Sequence, residues 1–181
     1  MLKFTVMSDE EKKDRIARRD FKNVDMKGAD MKGAYLRGAD FNGYNLSSAD
    51  LSDADLIMAD FRNANLSDAN LSGAELSGAN LNHADLINAE LINANLRWAN
   101  LLNANLKSAI LKCSDLRGSD LRGAYLSSAN FRGADLSEAD FRMADLSGAD
   151  LSGAILKNAN LRGADLSSAD LRNTILGEKG E

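Results

Sequence analysis

Two side chains in this sequence offer obvious reactivity, one histidine, His83, and one cysteine, Cys113. A thiolate beside an imidazole would make a nucleophile–base pair, or the beginning of a zinc site. Carboxylates are also plentiful: Asp or Asn stands directly before most of the leucines that recur along the chain. Facing carboxylates are the raw material of general acid–base chemistry. Whether any of these groups can meet depends on what the intervening chain builds.

The stretch ADLSGADLSGAIL, from Ala144 to Leu156, shows the element concerned. From Phe21 to Leu176 every fifth residue is Leu, Phe or Met, 32 positions in unbroken register. Two places before each stands Ala, except at Arg19, Val24, Tyr44, Ser114, Ser119 and Thr174. An α-helix cannot collect these residues, because at about 100° per residue successive leucines would be rotated by about 140°. A flat strand fails too: Ala and Leu two apart share a face, but the next Ala, three residues on, points the other way. A corner must therefore lie between them. Gly28, Gly73, Asn103 and Gly153 are among the residues two places after a leucine-type position, and Gly and Asn accept the positive φ of a tight corner. Each pentapeptide makes one short side and one corner, and the chain coils around its own leucines.

An A-[D/N]-L-x-x motif in long tandem array resembles the pentapeptide repeat family, over roughly residues 20–176. The resemblance implies an all-β solenoid: a right-handed quadrilateral β-helix with four pentapeptides per coil, hence about eight coils. At about 4.8 Å per coil the tower would be roughly 40 Å tall. Phe21, Phe41, Phe61 and Phe141 then fall on one side. Residues 20–176 form the coil, 1–19 an N-terminal strand and helix cap, and 177–181 a polar tail. Within the cap, Ser8 and Glu11 have capping-box spacing and acids fill the first turn. They predict a short helix near 9–18, with Ile16 and Ala17 as the lid of the first coil. LKFTV before it alternates like a strand, with two alternatives open: pairing with an edge, or disorder if Met7 is the true start.

On this scaffold His83 and Cys113 lie one and a half coils apart, on opposite sides. The Asp/Asn column reads as a solvated surface. No catalytic, cofactor or metal site is assigned, and the chain is read as a non-enzyme. The net charge is −5, divided as −2, −1 and −2 over residues 1–60, 61–120 and 121–181. That even spread offers no basic patch for phosphates, so direct nucleic-acid binding is not expected. The opening MLKFTVMSDEEKK lacks an apolar signal core, and no apolar run is long enough to span a bilayer. With one cysteine and so no intrachain disulfide, the expectation is a cytoplasmic protein without membrane contact.

The outside of the coil carries the remaining information. One side sets Asp20, Asp40, Asp60, Asp120 and Asp140 beside Lys22, Arg62, Arg122, Arg142 and Arg162, a balanced ion ladder. In the middle of the tower Ile87, Ile92, Trp98 and Leu102 occupy outward positions, with Met58 on the Trp98 side. These are the candidate interaction surface. At the C-terminal end, Ile155, Ile175 and Leu176 are candidates for an end-to-end contact with a second copy. The leading functional expectation is a rigid scaffold that presents an outer surface to a protein partner. The family resemblance also implies an alternative, a DNA-mimicking modulator or protector of a type II topoisomerase such as gyrase. Known members of that kind are strongly acidic rods, and this chain departs from them in charge.

Overall fold

Leucine-type residues spaced five apart stay inside only if the chain turns once per repeat. A computed structural model of the chain, which describes residues 2–18, 20–22 and 24–176, does this throughout. Every bridge between coils is parallel and joins a residue to the one twenty places on, from Asp30 with Asp50 to Asp150 with Asp170. Twenty residues therefore make one coil of four sides. Most bridges are single residues long, because each side is too short to carry more. Within the coil, the pairing extends to two residues at Ile155–Leu156 with Ile175–Leu176.

A repeat with Asp or Asn before its central residue can satisfy all of its backbone amides. In the pentapeptide Leu96–Asn100, Leu96 N–H donates to Asp115 of the next coil (2.7 Å) and Trp98 N–H to Arg117 (3.1 Å). Asn100 N–H donates back to Ala79 of the previous coil (2.9 Å), and Ala99 N–H closes the corner on Leu96 (3.0 Å). The fifth amide, that of Arg97, is met by the Asn95 side-chain oxygen at 3.1 Å. This last bond recurs at many of the sites where Asp or Asn precedes the central residue, for example Asp150 to Ser152 at 2.9 Å and Asp165 to Ser167 at 2.8 Å. The Asp/Asn column is thus more than a solvated surface. Each such side chain bonds the backbone two residues on and so specifies the turn.

Every corner has the same strained geometry: from Gly28 to Asn173 each fifth residue has a positive φ, between +55° and +73°. Inside, the Leu, Phe, Met and Ala columns are buried from Phe21 to Leu156. At the N-terminal end Phe21, Phe41 and Phe61 stack, with ring centroids 5.0 and 5.1 Å apart. Ser114 and Ser119, standing where Ala is usual, are buried as well. Each hydroxyl donates to the carbonyl three residues back at 2.7 Å, which relieves the burial of a polar group.

The first strand, β1 (Leu2–Lys3), pairs in parallel with β2 (Val24–Asp25). The helix α1 runs Asp9–Arg18, and Ser8 Oγ accepts the Glu11 N–H at 3.2 Å. Its lid differs from the expectation. Phe4 and Met7 close the first coil, at 0% and 6% exposure, with Phe4 against Phe21 at 6.5 Å. Ile16 contributes from the side, but Ala17 is exposed. The reason is helical phase: Lys12, Arg15 and Ile16 share the half-buried face, and Ala17 lies about 100° off it. Arg15 straps the helix down through Nη1–H to the Asp20 carbonyl, 3.2 Å. The expected tail at 177–181 lies outside the described residues.

Candidate interaction surfaces

The outward residues fall into columns, one coil apart, and the corners decide how each column looks. A side chain at a corner leans toward the next coil, so the next residue in its column sets the space it has. In the column Gly38, Met58, Gly78, Trp98, Gly118, large apolar residues alternate with glycine. A methyl group built on Gly78 would come within 2.5 Å of the Met58 sulfur. One on Gly118 would collide with Cζ3, Cε3 and Cη2 of Trp98. The indole therefore lies in the space that a Gly118 side chain would need, while Trp98 stays 60% exposed and Met58 67% exposed. Both have left-handed backbones, φ +57° and +59°. For bulky residues that conformation is disfavoured by about 1–2 kcal/mol.

The structure thus brings Met58 and Trp98 onto one strip and separates them from the other candidates. Ile87, Ile92 and Leu102 sit half-buried on the remaining three sides. His83 and Cys113 are both exposed and occupy different columns; Cys113 leans over Gly133. Among the described residues no group of His, Cys, Asp and Glu could hold a metal ion, and no helix is long and apolar enough to cross a membrane.

Leu102 belongs to a different feature, a groove of about 480 Å³ that it shares with Asn103, Arg122, Gly123, Arg142, Met143 and Arg162. Here the expected ion ladder is present in part. Asp120 Oδ1 accepts both the backbone N–H and Nε–H of Arg122 (3.1 and 2.8 Å), and its Oδ2 accepts Nη2–H (2.6 Å). Asp140 grips Arg142 in the same way, and Arg122 Nε also stands 3.9 Å from Asp140. These forks hold the Asp120 and Asp140 carboxyls below the usual carboxylate range. The pattern recurs at Asp60–Arg62, Asp115–Arg117 and Asp170–Arg172. It stops at Arg162, whose neighbour is Asn160. Spacing alone groups Arg162 with the ladder, but it has no ion pair among the described residues. Met143, 74% exposed at φ +62°, is a residue that sequence reasoning missed; its signal was a large apolar residue where Gly, Asn or Ser prevails.

At the far end Ile155 is half-buried, and Leu171, Ile175 and Leu176 are exposed by 42%, 47% and 65%. Leu161 and Leu166 are only partly buried.

The model for pentapeptide repeats matches the chain in eight copies, over residues 20–43, 45–82, 79–118, 114–142 and 139–177. The chain belongs to the pentapeptide repeat family. Its fold is that family's right-handed quadrilateral β-helix. Among similar solved structures, one is the pentapeptide repeat protein Rfr23 from the cyanobacterium Cyanothece 51142, 40% identical over 51% of this chain, with a TM-score of 0.50. The match spans 63% of the length of Rfr23. A second is HetL from Nostoc sp. strain PCC 7120, a protein involved in heterocyst differentiation regulation. It is 31% identical over 96% of this chain and 99% of its own, with a TM-score of 0.41. A third is the plasmid-mediated fluoroquinolone resistance protein QnrB1, 22% identical over 84% of this pentapeptide repeat protein and 89% of its own length, with a TM-score of 0.43. No curated protein sequence matches the chain.

Proposed function

We propose that this pentapeptide repeat protein is a non-enzymatic scaffold, a rigid rod whose outer surface docks a protein partner. One observation carries the reading: Met58 and Trp98 hold unfavourable left-handed corners while leaving most of their surface in water. A core requirement does not account for them, since neither side chain enters the interior. Strain kept at exposed apolar residues points to a contact made elsewhere. The test is capture of a partner by wild type and by Trp98→Ala, with thermal melting of both proteins. Loss of capture with the coil still folded, its stability lowered by no more than the roughly 1–2 kcal/mol that the indole's cover contributes, supports the strip; a collapsed melt makes Trp98 structural and removes it.

The alternative of a DNA-mimicking topoisomerase modulator has weaker support. Asp60, Asp115, Asp120, Asp140 and Asp170 are each forked to an arginine two residues on, so these acids do not form the unbroken negative column a DNA mimic needs. Unchanged gyrase supercoiling at saturating protein would exclude it. The apolar rim of Leu171, Ile175 and Leu176 supports a further proposal, contact with a second copy about a two-fold axis. A concentration-dependent dimer in sedimentation, lost in Ile175→Lys, is the expected result; a monomer at high micromolar concentration refutes it.

A further inference from the structure

The groove formed by Leu102, Arg122, Gly123, Arg142, Met143 and Arg162 has features that the fold does not require. Three arginines stand in one column on consecutive coils, about 4.8 Å apart. Two are held in place from behind. The Asp120 and Asp140 carboxylates engage Nε and Nη2 of Arg122 and Arg142, and Nη1 of each has no hydrogen bond among the described residues. An arginine fixed by one carboxylate has lost its rotamer freedom before a ligand arrives, so a second anion meets pre-oriented donors. The third position breaks the pattern: Asn160 replaces the Asp found at 120 and 140. Asn160 Oδ1 still accepts the Arg162 backbone N–H at 3.1 Å, so the turn is kept while the charge is lost. That one residue takes from Arg162 its own carboxylate and from Arg142 the next-coil carboxylate that Arg122 enjoys. The groove is left with three guanidinium groups against two carboxylates.

Its two ends are apolar. Met143 leans over Gly163, where a methyl group would meet its sulfur at 2.6 Å. Leu102 closes the opposite end, and between them the Asn103 amide oxygen leans over Gly123, where a methyl group would meet it at 2.5 Å. From this geometry we infer that the groove binds an acidic peptide segment of a partner protein, one carrying a carboxylate for Arg162 and Arg142 beside an apolar side chain for Met143 and Leu102. The proposal rests on the scaffold reading and adds a second contact on a different side from Trp98. A nucleic-acid backbone fits worse, because Asp120 and Asp140, bonded to Arg122 and Arg142 behind the groove, already offset most of the positive charge that a dense run of phosphates needs, and the apolar ends would stay uncovered.

The test uses a fluorescein-labelled twelve-residue peptide of glutamates interrupted by two leucines, with anisotropy read against the full chain. Its lysine-for-glutamate counterpart, a twelve-nucleotide oligo-dT and inorganic phosphate are the comparison probes. Asn160→Asp keeps the turn bond and restores the missing carboxylate, so it should weaken the acidic peptide roughly tenfold with an unchanged melting curve. Arg162→Gln should do the same. Met143→Asn relieves a left-handed corner, so it should raise stability while weakening the peptide several-fold. Trp98→Ala should leave peptide binding alone. Absence of binding, equal binding of the lysine peptide, preference for oligo-dT, equal competition by phosphate, or an Asn160→Asp variant that binds as wild type would each overturn the proposal. If it fails while a Trp98-dependent partner is still captured, the scaffold reading stands and only the groove is lost.

Discussion

Gly118→Ala and Gly38→Ala place the same methyl group at the same corner of the same column, at φ +67° and +66°. Both therefore incur the left-handed penalty, about 1–2 kcal/mol. They differ in what the methyl group meets: nothing within 4 Å at Gly38, but the six-membered ring of Trp98 at Gly118. The indole must leave. Trp98 is 60% exposed, so of the roughly 250 Å² that a tryptophan can bury about 100 Å² is covered. At about 25 cal/mol per Å², full release costs no more than about 2.5 kcal/mol. Because some cover remains after the ring swings out, the expected excess of Gly118→Ala over Gly38→Ala is about 1–2 kcal/mol. Trp98 is the chain's one tryptophan, so its emission reports the displacement directly and should shift to the red in Gly118→Ala alone. Denaturant unfolding monitored by circular dichroism supplies the stability difference. Equal losses in the two variants with identical emission spectra would show that the indole does not rest on Gly118, and the case for the strip would fall with it.

Three other outcomes are expected. Ala94, fully buried, should lose roughly 1–3 kcal/mol on replacement by Leu, whereas Ser77→Leu on the outside should cost little in the same denaturation assay. Phe4→Ala should remove about 3 kcal/mol or more of local stability from the N-terminal cap; hydrogen exchange at Val24 and Asp25 should rise while the middle coils stay protected, and uniform loosening would contradict this. Acid should act through the forked carboxylates: Arg172 holds Asp170 down to about 2, below the unfolded value near 3.9. A depressed folded value means that the contribution is complete above about pH 4–5 and is lost as pH falls toward about 2. Carboxyl NMR titration should show Asp170 rising toward the ordinary range in Arg172→Gln, which keeps the backbone N–H bond from residue 172 but loses the guanidinium, and no change would dismiss the fork.

What the sequence made legible was whatever depends on the five-residue period: the coil, its inner columns, the corners with positive φ, and the helix at 9–18. Relations between residues twenty apart were harder to see. Gly118 explains nothing about Trp98 until the coil length places it beneath the ring. The asparagines and aspartates carried their turn bond in plain view, as Asx residues two before an unpaired amide, yet their regularity read as solvation. Arg162 shared the spacing of Arg122 and Arg142, and only the absence of a carboxylate at Asn160 sets it apart. In the cap, Ile16 and Ala17 are equivalent as apolar neighbours until helical phase separates them; the LKFTV alternation announces the strand at Leu2–Lys3 but not the 3-10 turn at Phe4–Val6 that brings Phe4 and Met7 over the first coil.

The bridges from each residue to the one twenty on have a consequence for how such a chain can change length. Adding or removing five residues preserves every inner column, because the leucine beat resumes without a break. The exterior does not survive so easily, since everything downstream is carried a quarter-turn around the axis. Arg122 would no longer stand above Asp140, and Trp98 would find a different neighbour from Gly118. Only steps of twenty restore the outer columns. The interior is written in words of five letters and the surface in words of twenty, so the fold forgives many edits that its contacts would not.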